Sequence, residues 1–356
     1  MRLLICTGIY PPDIGGPATY SKLLADELPK RGIEVRILSF GSVRHLPKII
    51  RHFVYFLKAL RMGARADIIF AQDPVSVGLP SVLAAKILRK KFIIRVAGDY
   101  AWEQARQRFG IKDSIDEFQD KKYGLGVEFL RIMQKFTANH SQAVIAPSIY
   151  FKNLVSGWLK NKDKIHIIYN GIKLTNIEPE EKRENVILTA GRLVSWKGFD
   201  VLIEIIGELP EWRLIIVGDG PEKENLKFKI ENLKLQDKVN LTGSVPKEKM
   251  AEFLNKAKIF ILNTSFESFS FQVVEAMNAG VPVIATNIGN LSEIIESGRE
   301  GILVEPNNKK QIIAAVKKIE EDKNFREMII KNAHDKVRQF SIENTIIKLE
   351  KLLKTI

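Results

Sequence analysis

The sequence predicts an α/β protein made of two Rossmann-like, doubly wound domains facing a cleft. Three observations carry that prediction. Short apolar runs alternate with longer amphipathic stretches, as βαβ units on parallel sheets do. In the second half each run but the last is followed by Gly, Ser, Asn or Asp and then a helical pattern. The 356 residues are enough for two domains of roughly 100 to 200 residues, each with its own core.

In the first half the predicted strands are Arg2 to Cys6, Glu34 to Ser39, Asp67 to Ala71, Phe92 to Val96, Ala143 to Ala146 and Ile165 to Ile168. The helical stretches include Thr19 to Lys30, Lys48 to Arg65, Val82 to Arg89, Glu128 to Thr137 and Tyr150 to Leu159. The second half repeats the architecture without repeating the sequence. Its strands fall at Val186 to Ala190, Arg213 to Val217, Val239 to Leu241, Ile259 to Leu262, Val281 to Ala285 and Gly301 to Val304. Between the halves, Asn170 to Asn185 is polar and charge-rich with Pro179, and reads as a linker. Three helical segments close the chain, the last from Glu343 to Leu353. Two such domains create a crevice at the carboxyl ends of their strands, where ligands bind.

Hydrophobic residues at 45% and charged residues at 27% exclude a disordered or collagen-like chain. The one cysteine, Cys6, lies in an apolar run, which rules out an internal disulfide and fits a reducing compartment. The start, Met1 to Cys6, is too short for a secretory leader, and no stretch approaches 18 uncharged apolar residues. A cytoplasmic protein is the expectation. The net charge of +13 is lopsided: residues 1–175 hold 28 Lys and Arg against 14 Asp and Glu, and the rest is nearly balanced. A basic half points to an anionic partner, whether nucleic acid, phospholipid head groups or a phosphorylated substrate, or else to nothing more than a soluble surface.

Four loops carry candidate chemistry. Glu267 and Glu275 follow the strand Ile259 to Leu262, the first in a polar loop and the second about a turn into a helix that starts near Ser270. The helix N-terminus suits a phosphate, and the two carboxylates can accept hydrogen bonds from sugar hydroxyls; the alternative is a pair of solvated helix charges. Arg192 and Lys197, in the loop that opens with Gly191, can converge on one diphosphate, or be exposed loop cations. Gly218-Asp219-Gly220-Pro221 ends the next strand and is not the GxGxxG of dinucleotide-binding proteins. Gly15 and Gly16, after the first strand, allow close backbone approach to a ligand or simply form a turn. No DxD pair offers a divalent metal its carboxylates, and HExxH, GxxxxGK[ST] and GxSxG are absent. Metal-dependent hydrolysis, P-loop chemistry and serine hydrolysis are disfavoured.

Taken in order, the glycine loop, GRL with a following KG, GDGP, the Glu-x7-Glu motif running into EAMNAG, and Ile288-Gly289 leading to Glu293 and GILVEP resemble the retaining glycosyltransferases of family 4, with the GT-B fold. The resemblance spans nearly the whole chain. It implies transfer of a sugar from a nucleotide-activated donor, such as a UDP- or GDP-hexose, with retention at the anomeric carbon and without a metal or other cofactor. It assigns residues 1–175 to an acceptor-side domain and 176–340 to a nucleotide-sugar-binding domain, with the final helix, 341–356, crossing back to the first. By the same matching Arg192 and Lys197 hold the diphosphate, Glu275 the ribose hydroxyls and Glu267 the donor sugar. Backbone at Phe269, Ser270, Phe271 and Gly16 approaches the sugar and phosphates, and the base lies near Gly243 to Val245. Ser268 and Ser270 stand where relatives often carry Gly, and Asn290 where a second Gly is common. Asp99 stands where many have His that reads a sugar hydroxyl, which makes it a further catalytic candidate.

The stretch Arg44 to Arg65 adds a membrane expectation. Arg44, Lys48, Arg51, Lys58 and Arg65 recur at helical spacing, with Leu46, Ile50, Phe53, Leu57 and Leu60 as an apolar stripe away from them. Such a helix can lie on an anionic membrane and receive a glycan or lipid-linked acceptor at the inner face; equally, the stripe can pack on the sheet with the cations in water. Rival readings are a sugar-nucleotide epimerase of similar architecture, for which no base set is found, and a basic nucleic-acid binder, for which no RNP-like strand or helix-turn-helix is found. No nucleic-acid partner is expected.

Overall fold

The computed structural model describes residues 1–13, 15–174 and 183–356, with the side chains of Lys48, Ile49 and Lys247 outside the described set. Pro179 and the middle of the expected linker also lie outside the described residues. The chain divides into two compact units, Met1–Gly171 with Ile342–Ile356, and Ile172–Ser341.

In unit 1, β1 (Arg2–Thr7), β2 (Glu34–Ser39), β3 (Ile68–Ala71), β4 (Lys91–Arg95), β5 (Ala143–Ala146) and β6 (Ile165–Ile167) form a parallel sheet in the order β2-β1-β3-β4-β5-β6. Unit 2 holds β7 (Glu184–Ala190), β8 (Arg213–Val217), β9 (Val239–Gly243), β10 (Ala257–Leu262), β11 (Val283–Thr286) and β12 (Ile302–Val304), in the order β12-β11-β10-β7-β8-β9. Central strands β3, β5 and β11 are buried at every residue, which is why they read as unbroken apolar runs: helices cover both faces. The strand order reverses beside β1 in unit 1 and between β7 and β10 in unit 2, and open α/β sheets place ligands at the carboxyl ends of strands at such points.

Helix boundaries moved where capping chemistry governs. The helix expected from Thr19 runs Gly16–Glu27, because Gly15 at φ 153° ends the loop and Pro17 fits the first turn without loss of a hydrogen bond. The helix expected from Val82 starts at Gly78, with Pro80 likewise in its first turn. Two helices absent from the sequence reading, Tyr100–Phe109 and Ile115–Asp120, are capped by Asp99 and by a Ser114/Glu117 capping box.

The last helix, Ile342–Thr355, belongs to unit 1. It buries Ile346, Leu349, Leu352 and Leu353 there. Thr345 Oγ1 donates to the Tyr169 carbonyl at 2.9 Å, and Arg31 pairs with Glu350 at 3.0 Å.

Candidate active site

The unit 2 site is built from loops at the carboxyl edges of β7, β8, β9 and β10. Gly191 and Gly218 cross almost in contact: a Cβ on Gly218 would lie 1.9 Å from the Gly191 carbonyl oxygen, and one on Gly220 2.4 Å from that of Leu193. Only glycine permits this approach. Backbone bonds then lock the loops together, Gly191 N to Val217 O at 2.9 Å, Leu193 N to Asp219 O at 3.0 Å and Gly218 N to Gly243 O at 2.9 Å.

Past Gly191, Ser195–Lys197 makes a single 3-10 turn that ends at Gly198, φ 54°. The Lys197 stem passes over Gly191, its Cε 3.8 Å from where a Cβ there would stand. Its ammonium donates to Glu267 Oε2 at 2.6 Å, with the two side chains 11% and 14% exposed. Glu267 Oε1 accepts from the Ser268 N–H at 3.2 Å. The strand-order reversal between β7 and β10 thus brings together two residues 70 apart in sequence.

A polar clamp behind the pair escaped the sequence reading. Buried Asn263, directly after β10, donates to the Gly198 carbonyl and to Asn307 Oδ1, both at 2.9 Å, and accepts from Asn307 N at 2.9 Å. Thr264 Oγ1 donates to the Trp196 carbonyl at 3.1 Å, and Thr286 Oγ1 to the Thr264 carbonyl at 2.6 Å. These bonds fix the backbone on both sides of Lys197 and Glu267. An Asn-Thr pair closing an apolar strand was the available signal, but its partners lie far along the chain.

The helix after the glutamate loop is Phe271–Asn278, one residue from the expected start, with Ser270 as its N-cap accepting from Val273 N at 3.2 Å. The side chains of Phe269 and Phe271 are buried, edge-on with ring centres 6.0 Å apart, so backbone and not aromatic surface faces outward at this helix start. Glu275 is half-buried on the same helix. Arg192 is exposed and pairs with no described side chain. Val245 lies half-buried just beyond β9.

Other expected residues lie in unit 1. Gly16 opens the first helix, and a Cβ on Gly15 would strike Ile9 Cδ1 at 2.9 Å. Asp99, the further catalytic candidate, sits at a helix N-terminus. It is wholly buried, caps the helix Tyr100–Phe109 by accepting from Trp102 N at 3.0 Å, and accepts from Gln134 and Gln119 amides at 3.0 and 2.9 Å. Burial pushes its carboxyl above the usual range, opposed by those hydrogen bonds.

The Lys48–Gly63 helix buries Tyr55 and Ala59, with Tyr55 OH donating to the Leu38 carbonyl at 2.9 Å. Of the predicted stripe, Ile50, Phe53 and Leu57 are exposed, at 51%, 60% and 47%, and Leu46 and Leu60 half-buried, against the alternative in which the whole stripe packs on the sheet. The cations are not all in water either: the Arg51 guanidinium sits 5.6 Å from the Phe40 ring centre, and Lys58 donates to the Ser42 carbonyl at 3.3 Å. The Lys48 side chain is outside the described residues. Among the described residues no group of three or more His, Cys, Asp or Glu is arranged to hold a metal, and no helix is long and apolar enough to cross a membrane.

Comparison with known proteins agrees with this architecture. The model of Glycosyltransferase Family 4 matches residues 14–176, and that of Glycosyl transferases group 1 matches residues 172–336. An uncharacterized glycosyltransferase of Methanocaldococcus jannaschii is 32% identical over 97% of this chain and 95% of its own. The alpha-monoglucosyldiacylglycerol synthase of Streptococcus pneumoniae is 25% identical over 85% of this chain and 75% of its own. Among solved structures, Anabaena HepE in complex with UDP and glucose aligns with a TM-score of 0.81 at 18% identity, 100% of each chain being covered, a likeness that speaks for the GT-B fold. With both halves matched by family models and a relative matched over nearly its full length, the chain belongs to the group 1, family 4 glycosyltransferases.

Proposed function

We propose that this glycosyltransferase takes a hexose from a UDP- or GDP-linked donor held on unit 2 and transfers it, with retention and without a metal, to a hydroxyl of a glycan or lipid-linked acceptor received by unit 1. The observation that carries the donor reading is the Lys197–Glu267 pair at the β7/β10 edge, clamped from behind by Asn263 and set beside the capped start of Phe271–Asn278. Negative charge builds on the departing diphosphate as the glycosidic bond breaks. A preorganised positive site stabilises it. Arg192 and Lys197 supply cations, and the Phe271–Asn278 helix supplies backbone N–H groups beyond the one that Ser270 occupies. Glu267 holds Lys197 in place and presents its carboxylate to a donor hydroxyl, while Glu275 takes the ribose. The base lies near Gly243 to Val245, beyond β9. Carboxylates and cations already in contact leave no need for a bound divalent ion.

The lipid-linked part of the reading rests on unit 1 and on the diacylglycerol named in the pneumococcal relative. The Gly78–Leu88 helix packs against both Lys48–Gly63 and Leu125–Asn139, and the three expose Phe53, Leu57, Leu83, Ile87, Phe129 and Ile132. Gly78–Leu88 and Lys48–Gly63 contain no Asp or Glu, and the one carboxylate of Leu125–Asn139, Glu128, is paired with Arg131 at 3.0 Å. An apolar surface set among cations fits the inner, anionic face of a membrane, with the protein cytoplasmic and peripheral.

Screening purified protein against UDP- and GDP-hexoses for release of the free nucleotide diphosphate, with NMR of the product's anomeric configuration, tests the proposal. One donor is expected to turn over, and Arg192→Ala to slow it about 10²- to 10³-fold. Absence of turnover with every donor, or inversion at the anomeric carbon, overturns it.

A further inference from the structure

Unit 1 contains a buried cation with no counter-charge. Arg95, the last residue of β4, is 2% exposed, and its Nη2 donates to Asn170 Oδ1 at 2.6 Å. Its Nε and Nη1 meet no hydrogen-bond acceptor among the described residues, and no described carboxylate forms an ion pair with it. Arginine does not escape burial by losing its proton, so the charge stays. The Tyr20 ring, centred 4.1 Å from the guanidinium carbon, offsets part of the cost of keeping it there, but a ring face does not satisfy in-plane N–H groups.

Neighbouring groups share the condition. Gln72 directly follows β3, and the ladder that pairs Ala71 with Ile94 brings Gln72 and Arg95 out at the same level of adjacent strands. Gln72 is 3% exposed, and both its amide atoms lack partners among the described residues; so does the Tyr20 hydroxyl, which is fully buried. Native proteins satisfy nearly all such groups, so three together at the carboxyl edge of one sheet signal a missing partner. A partner that accepts from the guanidinium fork, the Gln72 amide nitrogen and the phenol at once is an oxyanion, leaving the Gln72 amide oxygen to a water or a hydroxyl of the same ligand. Gly8, Asp73 and Ala97, one or two residues past the ends of β1, β3 and β4, are all partly exposed, so the cluster lies one or two residues beneath solvent.

We propose that Arg95, Gln72 and Tyr20 form an oxyanion-binding site in unit 1 that takes a phosphate or carboxylate carried by the acceptor. The inference rests on the reading of unit 1 as the acceptor side. It specifies the acceptor's chemistry: a hydroxyl compound that also bears an anionic group.

Binding of inorganic phosphate and of acetate, at constant ionic strength with chloride as the control salt, tests it through thermal shift and calorimetry on the full chain. Wild type is expected to bind one of the two more tightly than chloride; preference for phosphate assigns a phosphorylated acceptor, and preference for acetate a carboxylated one. With UDP present to fill the diphosphate site of unit 2, Arg95→Met is expected to weaken that binding at least 10-fold. UDP binding itself should be unchanged in Arg95→Met and weakened in Arg192→Ala. Should Arg95→Met fail to fold, Gln72→Met provides the same reading with a loss of several-fold. Oxyanion binding that is absent from wild type, or indifferent to Arg95 and Gln72, overturns the site. Loss of UDP binding in Arg192→Ala with no oxyanion effect at Arg95 would leave the donor reading standing and remove this one alone.

Discussion

Breaking the Lys197–Glu267 contact should show how much of the site is prepared before any ligand arrives. At 2.6 Å and an effective dielectric of about 20, the attraction is roughly 6 kcal/mol before desolvation and side-chain ordering are subtracted. Exposures of 11% and 14% place the pair between surface ion pairs, worth about 0 to 1 kcal/mol, and buried ones, whose loss of a single partner costs about 3 to 5. A coupling of about 2 kcal/mol is therefore expected. Lys197→Met, Glu267→Gln and the double variant, unfolded in urea, form the double-mutant cycle that measures it. The same proteins assayed at saturating donor should each lose about 10²- to 10³-fold in turnover, because in the proposed mechanism Lys197 meets the departing diphosphate and Glu267 holds Lys197 and the donor sugar in place. Stability effects that add to within about 0.5 kcal/mol would show that the two side chains do not interact in solution, and the electrostatic account of the site would fall with them.

Activity should survive EDTA; loss that Mn²⁺ or Mg²⁺ restores would expose a metal site that the described residues do not display. Phe53→Ser with Leu57→Ser should weaken binding to vesicles containing anionic lipid by more than tenfold and leave binding to UDP unchanged, whereas equal vesicle binding by wild type and variant removes the membrane reading. Burial raises the Asp73 carboxyl to about 6, against hydrogen bonds from Val77 N and Val75 N. The folded chain then holds that proton more tightly than the unfolded one, so the contribution to stability is present below about pH 4 and declines as pH rises to about 6. Asp73 keeps some exposed surface, which limits the effect to on the order of 2 kcal/mol; denaturant midpoints across this range should fall for wild type relative to Asp73→Asn, and parallel curves would refute the shift.

Sequence pattern revealed the strands almost residue by residue, because each central strand is covered on both faces and its apolar run has no interruption to blur it. Ala143–Ala146 and Arg213–Val217 appear with the boundaries the pattern gave, and so does the half-buried edge strand Glu34–Ser39, whose apolar residues alternate with polar ones. Loop glycines were legible for a related reason: a Cβ on Gly218 would strike the Gly191 carbonyl, and Gly191 holds a φ of 154° that favours glycine. Hidden from the pattern were the contacts that chain separation conceals. Nothing local to Asn263 says that its amide will hold Gly198, 65 positions earlier, and Asn307, 44 later.

The Lys48–Gly63 helix shows a different limit, because periodicity reports that a helix has an apolar stripe but not which way the stripe faces. Here small Ala59 and hydrogen-bonded Tyr55 make the packed face, and the bulkier stripe of Ile50, Phe53 and Leu57 is turned outward. A fold that needs only one buried face per helix has no packing reason to keep a second apolar one. Exposed apolar surface of this kind is costly to carry in water and invites aggregation unless something covers it. Unit 1 also buries a carboxylate, Asp99, which caps a helix there. Unit 1 thus departs from the pattern in two directions, apolar residues outside and charged residues inside. Local consistency is broken most readily where function sets the residue, and in this chain that criterion points to unit 1, where the sequence motifs are fewest.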